Sequence, residues 1–343
     1  MNEVSKQKYL AFCIAMATTF GVASVAETFS VTPTVAQTLH DKIVEEDTFL
    51  KKINVFPVDE MKGEKVYGSV SPVVGKRTDT SANDREPIDP LVLGDKDYEC
   101  FKTEVDIAIK YKTIDTWAKF PDFQERYAKW VRQAVAMARV RCGWYGLTAA
   151  AVTNPVTNPN GEDLNKGWFQ IMREYNGGAQ WMEEGSVAGE IRIGEGGDYP
   201  NLDAAAHDLK QKLDPIYRER NDLVLMVGSD LLAADKAALY HAQGSTPSEK
   251  ERIANEKVTK TYGGMPTDTP SGFPSRGLFI TTYANLSWYY QDSSVRRRTI
   301  DNPKRDRIED YTSVNDCYVV ENEELAAGFE FANVKIKEGG VWV

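Results

Sequence analysis

The chain has 343 residues, of which 42% are hydrophobic, and it carries a formal net charge of −10 with a pI of about 5.1. This length allows one large domain, or two or three subdomains, with a sizeable buried core. The acidic balance argues against a protein that binds nucleic acid by neutralising phosphates. The four cysteines, Cys13, Cys100, Cys142 and Cys317, are widely spaced, so the sequence predicts neither a metal site nor a disulfide framework nor a bound cofactor.

Residues 1–29 form a candidate leader. Lys6 and Lys8 precede an apolar stretch, and Ser24-Val25-Ala26 resembles a signal-peptidase site, so one interpretation is export with a cleaved signal peptide. The other is a helical leader that docks on something else. The stretch is short and rich in Thr for a membrane span, and no other segment approaches spanning length, so we predict no membrane partner.

Residues 30–54 are predicted to form a helix. Thr32 can cap it, Pro33 suits its first position, and apolar residues recur at helical spacing. His40 lies beside that apolar stripe. We predict that it is a partly exposed helix residue and not a ligand, since nothing nearby completes a metal site.

Two runs, 65–70 and 99–113, are predicted to be strands. In the second run Val105, Ile107, Ile109 and Tyr111 alternate with polar residues, which is typical of a half-buried antiparallel strand. The segment between the runs is polar and contains several prolines. The pattern favours a long two-stranded arm with a poorly packed tip, and such an arm needs a partner surface.

Residues 121–146 give the strongest helical pattern, with Gly143 and Gly146 as the stop signal. The predicted apolar stripe comprises Phe123, Tyr127, Trp130, Val131, Ala134, Ala138 and Cys142. Residues 147–200 contain few clear elements, and the glycines of "IRIGEGGDYP" indicate a turn and not a phosphate cradle.

The order helix, strand, helix is predicted over 201–243, which is typical of an α/β layer. Asn201 caps the first helix and Ser229 the second, while His207 is predicted to be solvated. The apolar face of the first helix is predicted to contain Leu202, Ala205, Leu209, Leu213 and Ile216. Residues 244–277 are rich in loops, and strand character returns over 278–331.

A basic cluster lies within "RRRTIDNPKRDRIED". Its members are Arg296, Arg297, Arg298, Lys304, Arg305 and Arg307. Four acidic residues are interleaved with them, and no aromatic residues alternate with them as in single-strand binding platforms. We therefore predict a subunit-contact or solvated loop in preference to a DNA site, since mixed charge suits register between partners.

Catalytic motifs are missing from the sequence. The three histidines are far apart, and there is no G-x-S-x-G, H-E-x-x-H or P-loop motif. We predict that the chain is not an enzyme, although a cytoplasmic enzyme with an unrecognised site remains a third possible class.

Seven segments together resemble the major capsid proteins of P2-like tailed phages. They are "FSVTPTVAQTL", "INVFPVDEMKGEKV", "YKTIDTWAKFPDFQ", "GEGGDYPNLDA", "NLSWYYQDSSVRR", "NPKRDRIEDYTSVNDCYVVE" and "AAGFE", in this order between Phe29 and Ile336. The resemblance implies an α+β chain with the HK97-like capsid fold. Its implied parts are a leader (1–29), an N-terminal arm (30–64), an extended hairpin loop (65–113), a peripheral domain (114–199) with spine helix 121–146, an axial domain (200–290) and return strands of the peripheral domain (291–343).

The resemblance also implies a function. Subunits form hexamers and pentamers of an icosahedral virion head that encloses double-stranded DNA, which they contact weakly and without specificity. The implied partners are a scaffold and maturation protease, portal and head-completion proteins, and assembly takes place in the host cytoplasm. The protease is expected to remove the leader between Phe29 and Ser30. The alternative is an exported periplasmic binding protein.

The resemblance interprets residues 53–68 as the joint where the arm enters the extended loop. Ile53, Val55 and Phe56 are then anchors, and Gly63 and Gly68 provide turns. In "GGMPTDTPSGFP" the sequence departs from the family, because Thr267 and Asp268 stand where relatives are apolar. The strand register there is left open.

Overall fold

Helices and strands are mixed along the chain, which gives an α+β fold. The structure, a computed structural model, describes residues 3–65, 68–70, 77–79, 85, 91–93, 97–117, 120, 122–243 and 261–343. The helices in these ranges are α1 (Glu3–Phe20), α2 (Pro33–Val44), α3 (Tyr111–Trp117), α4 (Phe123–Tyr145), α5 (Trp168–Glu174), α6 (Leu202–Lys212) and α7 (Ser229–Gln243). The strands are β1 (Phe29–Ser30), β2 (Asn54–Val58), β3 (Lys62–Glu64), β4 (Gly68–Val70), β5 (Leu91–Leu93), β6 (Asp97–Glu99), β7 (Phe101–Lys110), β8 (Trp181–Met182), β9 (Ile191–Ile193), β10 (Val224–Val227), β11 (Thr261–Tyr262), β12 (Met265–Asp268), β13 (Leu278–Thr281), β14 (Leu286–Gln291), β15 (Arg296–Asn302), β16 (Arg307–Val320), β17 (Ala327–Phe329), β18 (Val334–Glu338) and β19 (Val341–Trp342).

Strand β16 organises the first sheet, whose order is β1-β15-β16-β14-β2. Its 14 residues pair with β15 over the first half and with β14 over the second half, while β7 pairs along the opposite edge. The predicted alternation of β7 is confirmed. Val105, Ile107 and Ile109 are half-buried, whereas Glu104 and Asp106 are exposed.

The second sheet has the order β11-β12-β10-β13-β17-β8. It packs with α6 in a second apolar core, while Trp181, Met226 and Phe279 of the same sheet belong to the first core. The helix–strand–helix pattern over 201–243 is confirmed, and Asn201 caps α6 by accepting a 2.8 Å hydrogen bond from the Ala204 amide. His207 is exposed, as predicted. Ile216 is 69% exposed because α6 ends at Lys212, so its place in the apolar stripe was wrong.

The open register in "GGMPTDTPSGFP" is resolved by β12. This strand runs parallel to β10, with Thr267 opposite Leu225 and Asp268 opposite Met226. The polar side chain of Asp268 is accommodated because its carboxylate lies 2.6 Å from the ammonium of Lys52.

Aromatic rings fill the core between α4, α5 and the first sheet. Trp144 contacts Trp168 and Phe169, with ring centroids 4.8 and 5.2 Å apart. Gly143 belongs to this contact, since a Cβ on it would lie 2.2 Å from the Trp168 ring. Gly143 is therefore a close-approach residue inside α4 and not part of the stop signal, which is Gly146 alone. Helix α5, which carries Trp168, was not predicted.

Only part of the predicted stripe on α4 faces the core. Trp130 is 51% exposed, and Ala134 and Ala138 are exposed as well, whereas Ala136 and Val140 are buried. The stripe was wrong because small apolar residues occur on two neighbouring faces of this helix, and periodicity alone does not choose between them.

The arm helix is shorter than predicted, since α2 ends at Val44. Pro33 occupies its first turn, but the Thr32 side chain makes no capping hydrogen bond. His40 is only 2% exposed, so the prediction of partial exposure was wrong. Its Nδ1 lies 3.1 Å from the Arg139 guanidinium and its ring 4.1 Å from that of Tyr290. Burial and the Arg139 charge lower the pKa of His40 well below its usual value, so it is neutral.

The joint segment, 53–68, contains strands β2 and β3. Strand β2 pairs in parallel with β14. Ile53 is buried as expected, but Phe56 is 48% exposed and is no anchor in the single chain. Gly63 lies within β3 opposite Tyr98, and a Cβ on it would lie 2.7 Å from the Tyr98 hydroxyl. Gly63 therefore allows Tyr98 to approach the backbone closely and does not form a turn. Gly68 does not form a turn either, because it begins the paired strand β4.

A two-stranded arm is present as the antiparallel pairs β3–β6 and β4–β5. Its predicted second strand, 99–113, was wrong, because residues 101–110 form β7 of the first sheet and Tyr111 begins α3. Most of the arm's tip, over 71–90, lies outside the described residues. At its base the Lys65 ammonium contacts the Glu323 carboxylate at 3.1 Å and the Val320 carbonyl at 2.9 Å. Both charged side chains are less than a tenth exposed, so this buried ion pair joins the hairpin arm to the body of the fold.

We expect Lys65→Met to lower the free energy of unfolding by about 3–5 kcal/mol, because it removes the ammonium that contacts the buried Glu323 carboxylate at 3.1 Å. Chemical denaturation measures this. The double variant Lys65→Met/Glu323→Leu should recover most of the loss. Lys62→Met is the matched control on the same arm, since its ion pair with Asp97 is exposed and should contribute less than about 1 kcal/mol. A loss for Lys65→Met no larger than for Lys62→Met would contradict the role of the buried pair.

Candidate processing and assembly site

The leader begins with helix α1, which packs on the chain's own first sheet. Tyr9 and Phe12 face Ile107, Ile109 and Ile308 across an apolar cavity of about 80 Å³. The helical interpretation of the leader is confirmed, and the surface on which it docks is the body of the same chain. In the same helix, the ammonium of Lys8 donates a 2.9 Å hydrogen bond to the Phe120 carbonyl.

Two polar groups of α1 stay neutral in this contact. Desolvation raises the pKa of the Tyr9 hydroxyl and of the Cys13 thiol, so neither is ionised near pH 7. A largely apolar helix face is thus matched to a largely apolar sheet face, with Lys8 and Asp310 also lining the contact, and burial of that surface holds the leader in place.

The residues after α1 are tied to strand β15 through their backbone. The Val25 carbonyl accepts a 2.8 Å hydrogen bond from the Thr299 amide, and the Ala26 carbonyl accepts a 2.9 Å bond from Nε of Arg298. The motif that resembled a signal-peptidase site, Ser24 to Ala26, is therefore bound to the folded chain in this structure.

Both predicted processing residues lie in strand β1, at the edge of the first sheet. Phe29 is paired with Arg297 and Ser30 with Arg296, and the Val31 amide donates to the Val295 carbonyl at 2.9 Å. Phe29 is half-buried with its ring 5.3 Å from that of Phe20, while Ser30 is exposed. The backbone on both sides of the Phe29–Ser30 bond is extended, which is the conformation that a protease binds. The backbone hydrogen bonds of this strand are, however, already made to β15.

The three arginines of β15 have different partners. Arg297 forms two bonds to the Asp310 carboxylate, at 3.0 and 2.5 Å, and its guanidinium lies 5.5 Å from the centre of the Phe20 ring. Arg298 holds the leader through Ala26, whereas Arg296 is exposed. Asp310 is therefore part of the site, although the sequence analysis treated it only as interleaved charge. A hairpin interpretation of 296–313, with its turn at Pro303, would have placed Asp310 diagonally opposite Arg297.

The remaining basic residues lie at the other end of the β15–β16 hairpin. Lys304 and Arg305 are exposed in its turn, and Arg307 lies 2.5 Å from the Glu309 carboxylate. Hydrogen bonds from Tyr311, Arg307 and Asn302 lower the pKa of Glu309 to about 2, so it stays ionised. The loop part of the prediction was wrong, because 296–302 and 307–320 are strands and the two basic groups lie about 20 Å apart along β15. Contact with another subunit stays a prediction.

Across the described ranges, no group of three or more His, Cys, Asp or Glu side chains is placed to hold a metal ion. In the same ranges, no helix combines the length and the apolar character that crossing a bilayer requires.

Comparison with known proteins gives consistent results. The family model described as phage major capsid protein, P2 family, matches residues 8–332. The chain is 36% identical over 348 residues to capsid proteins of Escherichia phage P2, with 98% of this chain and 96% of that relative covered. It is 33% identical over 320 residues to the major capsid protein of Serratia phage KSP20, with 90% and 91% covered. A chain in the satellite phage P4 procapsid that includes the size determination (Sid) protein matches with a TM-score of 0.71 and 34% identity, over 88% of this chain and 99% of that one.

The fold is thus the HK97-like fold of phage capsid proteins, as the resemblance implied. Within that class, the chain belongs to the P2 family of phage major capsid proteins. The alternative of an exported binding protein has no support among these relatives.

We expect Phe12→Asp to release the leader, because it places a charge in the apolar contact between α1 and the sheet. Amide exchange of residues 3–20 should rise at least about tenfold while exchange of α4 and α5 is unchanged. Ile14→Asp is the matched control, since Ile14 is 68% exposed on the same helix and should change exchange little. Equal effects of the two variants would show that α1 is not held through this face.

Proposed function

We propose that copies of this chain assemble into hexamers and pentamers that close into an icosahedral head around double-stranded DNA. The observation that supports this most is the 34% identical chain in an assembled procapsid, which matches over nearly its whole length. Two surface features agree with it. In the described part of the chain β7 pairs only with β16, which leaves its other edge available to a neighbour, and large apolar side chains such as Phe56 and Trp130 are half exposed.

We also propose the division into leader (1–29), arm (30–64), extended loop (65–113), peripheral domain (114–199 with 291–343) and axial domain (200–290). The two apolar cores support two units, although their boundaries differ from these ranges: Phe329 and Ile336 pack in the second core, and Trp288 packs in the first. In this division β4, β5 and β6 lie in the extended loop, and β3, at the end of the arm, pairs with β6 at the base of the loop. The role is structural and not enzymatic, and assembly takes place in the host cytoplasm.

The proposed partners besides the chain itself are a scaffold and maturation protease, portal and head-completion proteins, and packaged DNA. Contact with DNA is weak and non-specific, because the chain is acidic overall and Arg297 and Arg307 are already paired with carboxylates. Lys304 and Arg305, exposed at the hairpin turn, and Arg296 are the basic residues best placed to contact a neighbouring subunit.

Negative-stain microscopy of the full chain expressed with its scaffold tests the proposal. We expect closed shells of uniform size. Replacing residues 72–97 with a short glycine–serine turn should leave a folded subunit but no closed shells, because the loop adds little to its own core and instead contacts neighbours. Discrete monomers at high concentration, with and without scaffold, would overturn the proposal.

The processing site gives a second test. We expect the chain in assembled particles to begin near Ser30 only when the maturation protease is present, because β1 must leave the edge of β15 before the protease can bind it. Intact mass and N-terminal sequencing measure the start. A chain that begins at Glu27 and is recovered from the periplasm would support signal peptidase instead, and an intact Met1 in mature heads would rule out both cuts.

A further inference from the structure

Two of the four cysteines face each other at the base of the hairpin arm. Cys100 lies between β6 and β7, and Cys317 lies in β16, with their sulfur atoms 3.5 Å apart. Both are buried, at 0% and 4% exposure, and both are free thiols in the structure. The neighbouring residues Phe101 and Asp316 are register partners, so Cys100 and Cys317 occupy the next opposed position of an antiparallel pair. Such residues have Cα atoms about 4.5 to 5.5 Å apart, within the range that a disulfide spans.

We propose that Cys100 and Cys317 form a disulfide when the protein passes from a reducing to an oxidising environment, and that this bond fastens the base of the arm to β16. The chemistry of the pair does not depend on assembly. Only its setting, release of a particle from the cell, rests on the proposed function.

The oxidant is a low-molecular-weight disulfide of the glutathione class. Cys317 lines a surface cavity of about 420 Å³ together with Lys65, Tyr98 and Glu323, whereas Cys100 has no exposed surface. The Cys317 thiolate attacks one sulfur of the oxidant, whose S–S bond breaks and releases one thiolate. The Cys100 thiolate then attacks the Cys317 sulfur of the mixed disulfide and displaces the second thiolate. The two protons lost by the cysteines go to the two released thiolates, so two protein thiols are oxidised and one small disulfide is reduced.

Burial also makes the pair slow to oxidise once the chain is folded. The hydrogen bond with Cys100, desolvation and the Asp316 charge raise the pKa of Cys317, and the Lys65 ammonium opposes them only in part. The reactive thiolate is therefore scarce near neutral pH, and oxidation of the folded chain is slow compared with that of an exposed thiol.

The full-length protein is incubated with excess glutathione disulfide, quenched in acid, denatured and alkylated, and its peptides are analysed by mass spectrometry. We expect one cross-linked peptide that joins Cys100 to Cys317, and a melting temperature raised by several degrees over the reduced protein. Cys100→Ala and Cys317→Ala should each lose the cross-link and the shift. Cys142→Ala is the matched control and should keep both, since the buried Cys142 thiol contacts the Gly161 carbonyl.

The wild-type peptide map reads the bond directly, so the test stands even where a variant fails to fold. A Cys317–glutathione adduct that never closes, complete alkylation of Cys100 and Cys317 after oxidation, or a cross-link between other cysteines would each overturn the proposal. A cross-link without any rise in melting temperature would overturn the fastening role.

Discussion

The carboxylate of Asp316 is the constraint on which the first sheet and the spine helix depend. It is buried, and it accepts hydrogen bonds from the Thr103 hydroxyl at 2.6 Å and the Trp288 indole at 3.0 Å. Asn165 bonds the Asp316 carbonyl at 2.9 Å, and the charge of the buried Arg139 lies close enough to lower the pKa of Asp316 against the larger effect of desolvation. These groups come from β7, β14, α4 and the segment before α5. Because a buried polar group without hydrogen-bond partners is strongly destabilising, these elements must meet here in one arrangement.

Around this fixed centre, the leader and the hairpin arm are held by fewer and more local contacts. The leader rests on an apolar cavity and a few backbone bonds, and the arm is held at its base by Lys65 and Glu323. The same strand, β16, or the residues directly after it, supplies contacts to both. The leader is therefore attached near the start of β16, at Ile308, and the hairpin arm near its end, at Val320.

Much of the fold could be predicted from sequence, because its strongest signals are local. Alternation in β7 and the cap at Asn201 each depend on a few neighbouring residues, and both were confirmed. The failures share a different cause. His40, Gly143 and Trp130 are defined by what lies across from them, and periodicity does not contain that information. The candidate site was found only in part for the same reason. The resemblance located Phe29 and Ser30, but the pairing of β1 with β15 joins residues more than 260 positions apart.

The length of β16 has a mechanical consequence. Its 14 residues extend for about 45 Å without a break, with β15 and β14 bonded in succession along one edge and β7 along the other. Hydrogen bonds of antiparallel strands run perpendicular to the strand axis. Tension applied along β16 is therefore shared by many bonds loaded in shear, whereas tension across the sheet would open them one at a time. The subunit therefore resists stretching most strongly along this strand. A force applied at one end of β16 is carried to the other end, because no hinge interrupts the strand.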